Sequence, residues 1–429
     1  MASQTLTDGL QALSLYDSDS NPHPNPVCLP FRPTGDKKWV QEKFEVPRYL
    51  FRVFTPNSRG YTDMLWAKSM DARDGKSTSS LDIFARDDKR VAEMLNLHLR
   101  WWKGFGDNLV SWTSSLLFAI VYIFYLHASV KDGSDFNDIS LCVLDTTDLP
   151  KGVLLRDMDL IRAYSSFNNG LRQFELLRSQ KKHKEYSGSF YFGEYFSQGA
   201  LKIKGKCQIV SAQEIIDRGL YDLQPEFKTF AEWERQENKK PPWANEVIKL
   251  REIYYHAELN WQRISTKERE AAMNIATLFD PRWRLPMAAN LIAMLPHRVE
   301  ESDIPQAFRT ISFSEERDRC SPSVTRVMDF GTLPEVKRFG DIMRSIYRES
   351  CLQKMKDCTR EAEAQLRLAI SCHENMKRSA SENHELTSMV STCNSVLRQL
   401  RTISCLSISL RQEILGESDG RSDSERSSS

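Results

Sequence analysis

The sequence predicts an α+β domain followed by an α-helical region. Short apolar and aromatic segments alternate irregularly with helical patterns up to about residue 225. Beyond that point strand signals largely vanish, and the apolar residues recur at three- and four-residue steps instead. Such irregular mixing favours an α+β domain over regular βαβ units. A chain of 429 residues is also long enough for two or three structural units.

Three segments in the first part of the chain carry the strongest local signals. Residues 49–54 are aromatic and β-branched and precede a turn that contains proline, asparagine and glycine, which predicts a strand. Residues 87–101 have apolar side chains at helical spacing. Residues 109–113 predict a second strand, and Ser114 or Ser115 can cap the apolar helix that follows.

Further strands are predicted at residues 139–144, 190–196, 201–203 and 207–210. In the last third of the chain, apolar residues from Leu386 to Ile414 alternate at three- and four-residue steps. This seam is typical of a coiled coil or a helical bundle. It predicts self-association, or binding of an unidentified protein partner, through about residues 386–414.

Composition divides the chain into six predicted segments. They are a disordered lead at 1–44, the α+β domain at 45–225, a helical region at 226–313, a linker at 314–333, a helical or coiled-coil region at 334–415 and a disordered tail at 416–429. The two ends are rich in serine, aspartate and other polar residues, which cannot bury enough apolar surface to order a chain.

The charge and hydropathy patterns argue against two classes of partner. The formal net charge of +1 creates no field that attracts nucleic acid or an anionic membrane surface. Residues 116–126 are continuously apolar, but this segment is only about half of the roughly 20 residues that a bilayer requires. We therefore predict a buried core helix at this position and no membrane span.

The nine cysteines are scattered, and none forms a C-x-x-C pair or completes a zinc-binding spacing. No metal site is predicted. The odd number of cysteines and a polar N-terminal segment without a secretory signal predict reduced thiols in the cytoplasm or the nucleus.

Polar residues inside apolar strands are the candidates for chemistry. Arg52 lies in the first predicted strand, Ser111 and Thr113 lie in the second, and Glu194 follows a glycine near the end of the domain. Structural roles remain open for each of them: an ion pair of Arg52 with Glu45, strand-edge or helix-capping hydrogen bonds for the two hydroxyls, and a turn carboxylate for Glu194. The histidines His98 and His127 are interpreted as packing or surface residues.

Three motifs carry a family resemblance: RYLFRV at 48–53, LVSWTSS at 109–115 and FGEYFSQGAL at 192–201. Together they resemble a fungal family of domains of unknown function over about residues 46–215. The same landmarks resemble the Arg–Ser–Glu signature of ADP-ribosyltransferase-like folds. That signature has an arginine on the first core strand, a Ser-x-Ser/Thr strand that leads into a helix, and a late glutamate followed by a glycine and an apolar residue.

The second resemblance implies a mono-ADP-ribosyltransferase or NAD glycohydrolase, with NAD as substrate. Cleaving the nicotinamide–ribose bond creates an oxocarbenium-like centre, which a carboxylate stabilises as in glycoside hydrolysis. By this resemblance Glu194 is the catalytic carboxylate and Ser111 orients it. Arg52 binds the phosphates or ribose of NAD. Thr113 supports the strand or the nicotinamide pocket.

Two residues depart from that pattern. Phe192 occupies the position of a second acidic or amide side chain that many such enzymes use toward protein acceptors, so the acceptor stays open. Trp112 replaces a small residue between the two hydroxyls, which would narrow or reshape the pocket. Many relatives with degraded signatures have lost activity. The alternative, which the seam from Leu386 to Ile414 favours, is a non-enzymatic scaffold that acts through its C-terminal helices.

Overall fold

The computed structural model describes residues 28–102, 104–179, 190–237, 240–256, 264–295 and 333–379, with single positions between 391 and 402. Contacts divide the chain into two compact units. Of the described residues, the first unit contains 28–256, 264–295 and 333–339, and the second contains those from 340 onward. The mixed α+β character predicted from the sequence is confirmed.

Antiparallel strands form two sheets in the first unit. The described strands are β1 (Tyr49–Phe54), β2 (Tyr61–Thr62), β3 (Trp66–Lys68), β4 (Leu109–Thr113), β5 (Ser140–Asp145), β6 (Leu155–Arg156), β7 (Glu194–Gln198), β8 (Ala200–Lys202) and β9 (Cys207–Ser211). Six of them form one sheet in the order β6-β7-β4-β1-β5-β9, and the others form a second sheet in the order β2-β3-β8. The predicted strands around residues 49–54 and 109–113 are confirmed.

Helices cover the sheets and continue toward the C-terminus. The described α-helices are α1 (Met70–Arg73), α2 (Asp88–Leu99), α3 (Leu116–Ala128), α4 (Asp157–Tyr164), α5 (Asn169–Ser179), α6 (Ala212–Asp217), α7 (Leu220–Leu223), α8 (Glu226–Ala231), α9 (Trp243–Arg251), α10 (Thr266–Ala276), α11 (Pro281–Ala293) and α12 (Pro334–Ser379). Short 3₁₀ helices lie at Gly35–Lys43, Ser77–Ser80, Ile83–Ala85 and Ser165–Phe167, and a π-helix lies at Glu252–His256.

The centre of the large sheet is split between β1 and β4. Strand β1 pairs with β5 along its whole length, and β4 pairs with β7 along its whole length. Between β1 and β4 the only register pair is Phe51↔Thr113. Because the two strands diverge beyond that pair, backbone groups on their facing edges need other partners, and space opens between the strands.

Helix α3 packs against β1 and β4 at this split. Ser115 caps its N-terminus by accepting a hydrogen bond from the backbone N–H of Phe118 at 3.0 Å, as the sequence predicted. Nearly all of its side chains are buried in the protein core, and this burial explains why the segment is continuously apolar. In the part of the chain that the structure describes, no helix has the length and apolar character needed to cross a bilayer.

Order begins before residue 44, where the sequence predicted the end of a disordered lead. Residues Gly35–Lys43 form a 3₁₀ helix, and Phe31 and Val40 are buried in the same apolar cluster as Leu95 and Leu155. A few apolar side chains within a polar stretch are thus enough to anchor this segment. The seam positions between Leu386 and Ile414 lie outside the described residues, so the coiled coil stays a prediction.

Candidate active site

The split sheet forms one wall of a cleft of about 790 Å³. Arg52 of β1, Ser111 and Thr113 of β4, and Glu194 of β7 all line it, so the residues singled out in the sequence share one site. Its volume lies within the roughly 300–1,000 Å³ that is usual for small-molecule sites. Convergence of these residues from three strands is what a binding or catalytic role requires.

Arg52 reaches across the gap between the diverging strands. Its Nη1 donates to the backbone oxygen of Ser111 at 2.9 Å, and its Nε donates to Thr62 Oγ1 at 3.0 Å. The guanidinium therefore satisfies a carbonyl that the split leaves without a strand partner, and the suggested ion pair with Glu45 is replaced by these contacts. Burial lowers the pKa of Arg52, but arginine stays protonated at neutral pH.

The Ser111 hydroxyl has an imidazole as its partner. His98 Nε2 lies 2.7 Å from Ser111 Oγ, and His98 Nδ1 lies 2.8 Å and 2.9 Å from the two carboxylate oxygens of Asp107. In the tautomer that carries its proton on Nδ1, His98 donates to Asp107 and accepts the Ser111 proton at Nε2. This arrangement leaves the lone pairs of Ser111 Oγ available to a ligand.

Asp107 is held ionised by its neighbours. Burial raises the pKa of its carboxyl, but attraction to His98, hydrogen bonds from His98 and from the backbone N–H of Leu109, and the charge of Arg59 together lower it below its usual value. An ionised Asp107 fixes the tautomer and the orientation of His98, and through it the orientation of the Ser111 hydroxyl.

Glu194 is the first residue of β7 and is 8% exposed. Its Oε2 lies 2.6 Å from Arg178 Nη2, and Arg178 also contacts Asp157. Arg178 neutralises this oxygen, and among the described residues Oε2 accepts no further hydrogen bond. A carboxylate oxygen can accept more than one hydrogen bond, so a ligand hydroxyl in the cleft can still bind it.

Thr113 has a structural role in this arrangement. Its Oγ1 donates to the backbone oxygen of Phe192 at 2.7 Å and accepts from the backbone N–H of Ser115 at 3.0 Å. These bonds tie β4 to the residues just before Glu194 and to the cap of α3. These contacts agree with the strand-edge or helix-capping hydrogen bond suggested for Thr113 as the structural alternative.

Trp112 is among the residues that line the cleft, but its indole is packed in the core. Side chains alternate between the faces of a strand, so Trp112 points away from the face that carries Ser111 and Thr113. Its ring is 1% exposed, lies in the core with Leu50 and Cys142, and donates its N–H to Ser197 Oγ at 3.0 Å. The sequence departure at this position therefore changes the core behind the sheet.

Aromatic rings form the wall opposite the strands. Trp101 lies 5.0 Å from Tyr122 and 5.4 Å from Tyr125 between ring centroids, and the two tyrosine rings stack on each other at 5.5 Å. Trp101 follows the end of α2 with a φ of +55°, a left-handed conformation that non-glycine residues rarely adopt. Arg59 holds this backbone by donating to the carbonyl oxygens of Trp101 and Trp102.

The backbone before Glu194 depends on Gly193, whose φ is +68°. A Cβ there would lie 2.3 Å from Ser114 Oγ and 2.9 Å from Leu333 Cδ1. We expect Gly193→Ala to lower the free energy of unfolding by more than the about 1–2 kcal/mol of left-handed strain alone. Gly205 is the matched control, because its φ is +73° and a Cβ would meet nothing within 4 Å. Equal losses for Gly193→Ala and Gly205→Ala in guanidinium unfolding would refute the steric argument.

Four of the cleft residues, Arg52, Ser111, Thr113 and Glu194, are predicted from the sequence, but His98 and Asp107 are not. His98 had been interpreted as a packing or surface residue, and its contact with Ser111 makes it part of the site. One signal was present: a short turn joins the end of α2 to the start of β4, so residues at these two ends must be neighbours.

The fold and site define an α+β domain with a cleft that combines a buried arginine, a carboxylate and an aromatic wall. A model of the family described as a domain of unknown function (DUF7587) matches residues 45–203, which contain every one of these cleft residues. This agrees with the predicted family segment. Comparison with curated proteins and with solved structures gave no match.

Proposed function

We propose that the domain binds NAD in the cleft and cleaves its nicotinamide–ribose bond, as a mono-ADP-ribosyltransferase or NAD glycohydrolase. The observation that carries the proposal is the convergence of Arg52, Ser111 and Glu194 on one cleft of about 790 Å³. These residues come from three strands and are separated by up to 142 positions (194 − 52), so their proximity is a property of the fold.

Each wall of the cleft suits a different part of NAD. The arginines Arg52 and Arg59 provide cations for the pyrophosphate. The rings of Trp101, Tyr122 and Tyr125 provide faces on which a flat heterocycle can stack. The Glu194 carboxylate, ion-paired with Arg178, can accept a hydrogen bond from a ribose hydroxyl.

In the proposed reaction Glu194 acts when the bond to nicotinamide lengthens. Positive charge then develops on the ribose ring, and a carboxylate in a water-poor site stabilises it more than it stabilises the bound substrate. Ser111, oriented by His98 and Asp107, holds the sugar against Glu194. Water or an acceptor group then completes the reaction at the ribose carbon.

The contact of Ser111 with His98 and Asp107 also favours a second candidate, an acyl-transfer enzyme with Ser111 as nucleophile. Acyl transfer gives Glu194 and Arg52 no chemical role. Cleavage of the nicotinamide–ribose bond gives a role to both, so it explains more of the residues in the cleft. The non-enzymatic alternative, partner binding through residues 386–414, stays a prediction because its seam lies outside the described residues.

Release of nicotinamide from NAD by the purified full-length chain, followed by chromatography, tests the proposal. We expect release above the rate without protein, and no labelling of Ser111 by a fluorophosphonate. Labelling of Ser111, abolished in Ser111→Ala, together with intact NAD would replace glycosidic cleavage by the acyl-transfer candidate.

A further inference from the structure

A second, smaller cavity of about 260 Å³ adjoins the cleft. Glu194, Trp101 and Trp102 line both cavities, so the two share a boundary. A sugar held against Glu194 in the larger cleft is therefore accessible from the smaller cavity. A second substrate requires this placement, because its reacting atom must reach the ribose carbon that loses nicotinamide from a different side.

Six aromatic side chains line the smaller cavity. Phe174, Phe190, Phe192 and Trp243 line it, in addition to the two shared tryptophans. Phe192 lies 5.1 Å from Trp243 between ring centroids. The volume is just below the roughly 300–1,000 Å³ of typical small-molecule sites, so the cavity suits a single flat ring system. Aromatic walls bind such rings by stacking.

The charges around this cavity are predominantly positive. Arg100, Arg178 and Lys240 line it, against the single carboxylate of Glu194, which Arg178 already pairs with. Arg100 lies over the Phe174 ring at 4.8 Å and has no carboxylate within ion-pair distance among the described residues. Lys240 is exposed. A guanidinium or ammonium group would be repelled here, and an anionic group would be attracted.

We propose that this cavity is the acceptor site and that it takes a nucleotide. The base stacks on the aromatic walls, and its phosphate lies against Arg100 and Lys240. A free nucleotide fits better than a nucleic acid strand, because the net charge of +1 gives no field for a long polyanion.

The chemistry of this step rests on the function proposed above. A nitrogen or oxygen of the acceptor forms a bond to the ribose carbon while the bond to nicotinamide breaks. The nicotinamide leaves with that electron pair as a neutral base. The proton of the acceptor passes to the Glu194 carboxylate and then to solvent, so atoms and charge balance without another reagent.

Calorimetric titration of the full-length chain with AMP, GMP, CMP and UMP tests the assignment. We expect at least one of these nucleotides to bind with one molecule per chain. Saturating ADP-ribose, which occupies only the larger cleft, should change the Kd of that nucleotide less than about 3-fold. Lys240→Gln combined with Arg100→Gln should weaken binding at least about 10-fold. Lys204→Gln, which removes an exposed cation that lines neither cavity, should leave it unchanged.

The assignment would be overturned if no nucleotide bound, if Lys204→Gln weakened binding as much as the double variant, or if the cation agmatine bound more tightly than the nucleotides. Direct competition with ADP-ribose would also overturn it, because the nucleotide would then lie in the larger cleft. If the double variant does not fold, Lys240→Gln alone replaces it in this comparison. Nucleotide binding without NAD cleavage would contradict the proposed function and leave the second binding site standing.

Discussion

Glu194→Gln is expected to reduce nicotinamide release from NAD at least about 100-fold, the usual range for loss of a group that stabilises charge in the transition state. Glutamine keeps the size of the side chain and can still accept a hydrogen bond from a ribose hydroxyl. It cannot offset the positive charge that develops on the sugar. The loss should therefore fall on kcat, with little change in KM.

A matched control for this prediction is Glu175→Gln, on helix α5 outside both cavities. It removes one carboxylate that lies 3.7 Å from Arg162 and should leave the rate of release unchanged. Circular dichroism of both variants checks folding, because Glu194 also neutralises the buried Arg178. Full activity in folded Glu194→Gln would exclude this carboxylate from catalysis.

Glu335→Ala is expected to cause the largest loss of stability, about 3–5 kcal/mol, as for breaking a buried ion pair from one side. Glu335 lies in the first turn of α12 and is 3% exposed. Its carboxylate accepts from Arg251 Nη2 at 2.7 Å and from Ser115 Oγ at 2.5 Å. Removing it leaves Arg251 buried without its anion and loosens the residue that caps α3.

Equilibrium unfolding in guanidinium measures this effect, with Glu246→Ala as the control. Glu246 pairs with the exposed Lys249 and is itself 20% exposed, and ion pairs in contact with solvent contribute about 0–1 kcal/mol. Because the penalty comes from an uncompensated charge, Arg251→Met combined with Glu335→Leu should lose less stability than Glu335→Ala. A loss below 1 kcal/mol in Glu335→Ala would contradict a structural role for this ion pair.

The hydrogen bond from Ser115 to Glu335 ties the family-matched segment to a residue far beyond it. Ser115 and Glu335 are 220 positions apart, and the family match ends at residue 203. Gly193 contacts the same region through Leu333. A fragment that ends with the matched segment would therefore lack the anion that supports the helix next to the cleft.

Local patterns in the sequence were sufficient for part of this structure. Alternation and turn residues located β1 and β4, and the serine cap located the start of α3, because each of these depends on neighbours in the chain. Arg52, Ser111 and Glu194 could be selected because polar side chains in apolar strands are costly to bury unless they bind a partner or a ligand.

Other features depend on contacts that local patterns do not encode. The partner of Ser111 is His98, which depends on how α2 lies against β4. The partner of Ser115 is Glu335, in a segment that composition assigns to another region. Trp101 shows no sequence signal for its positive φ, since tryptophan rarely adopts it.

NAD is the proposed ligand of the cleft. Calorimetric titration of NAD into Glu194→Gln tests this most directly, because the variant should not turn NAD over. We predict one NAD per chain, with binding weakened at least about 10-fold when Arg52→Met is added. Absence of binding at millimolar NAD in a folded variant, or binding that Arg52→Met leaves unchanged, would contradict the account.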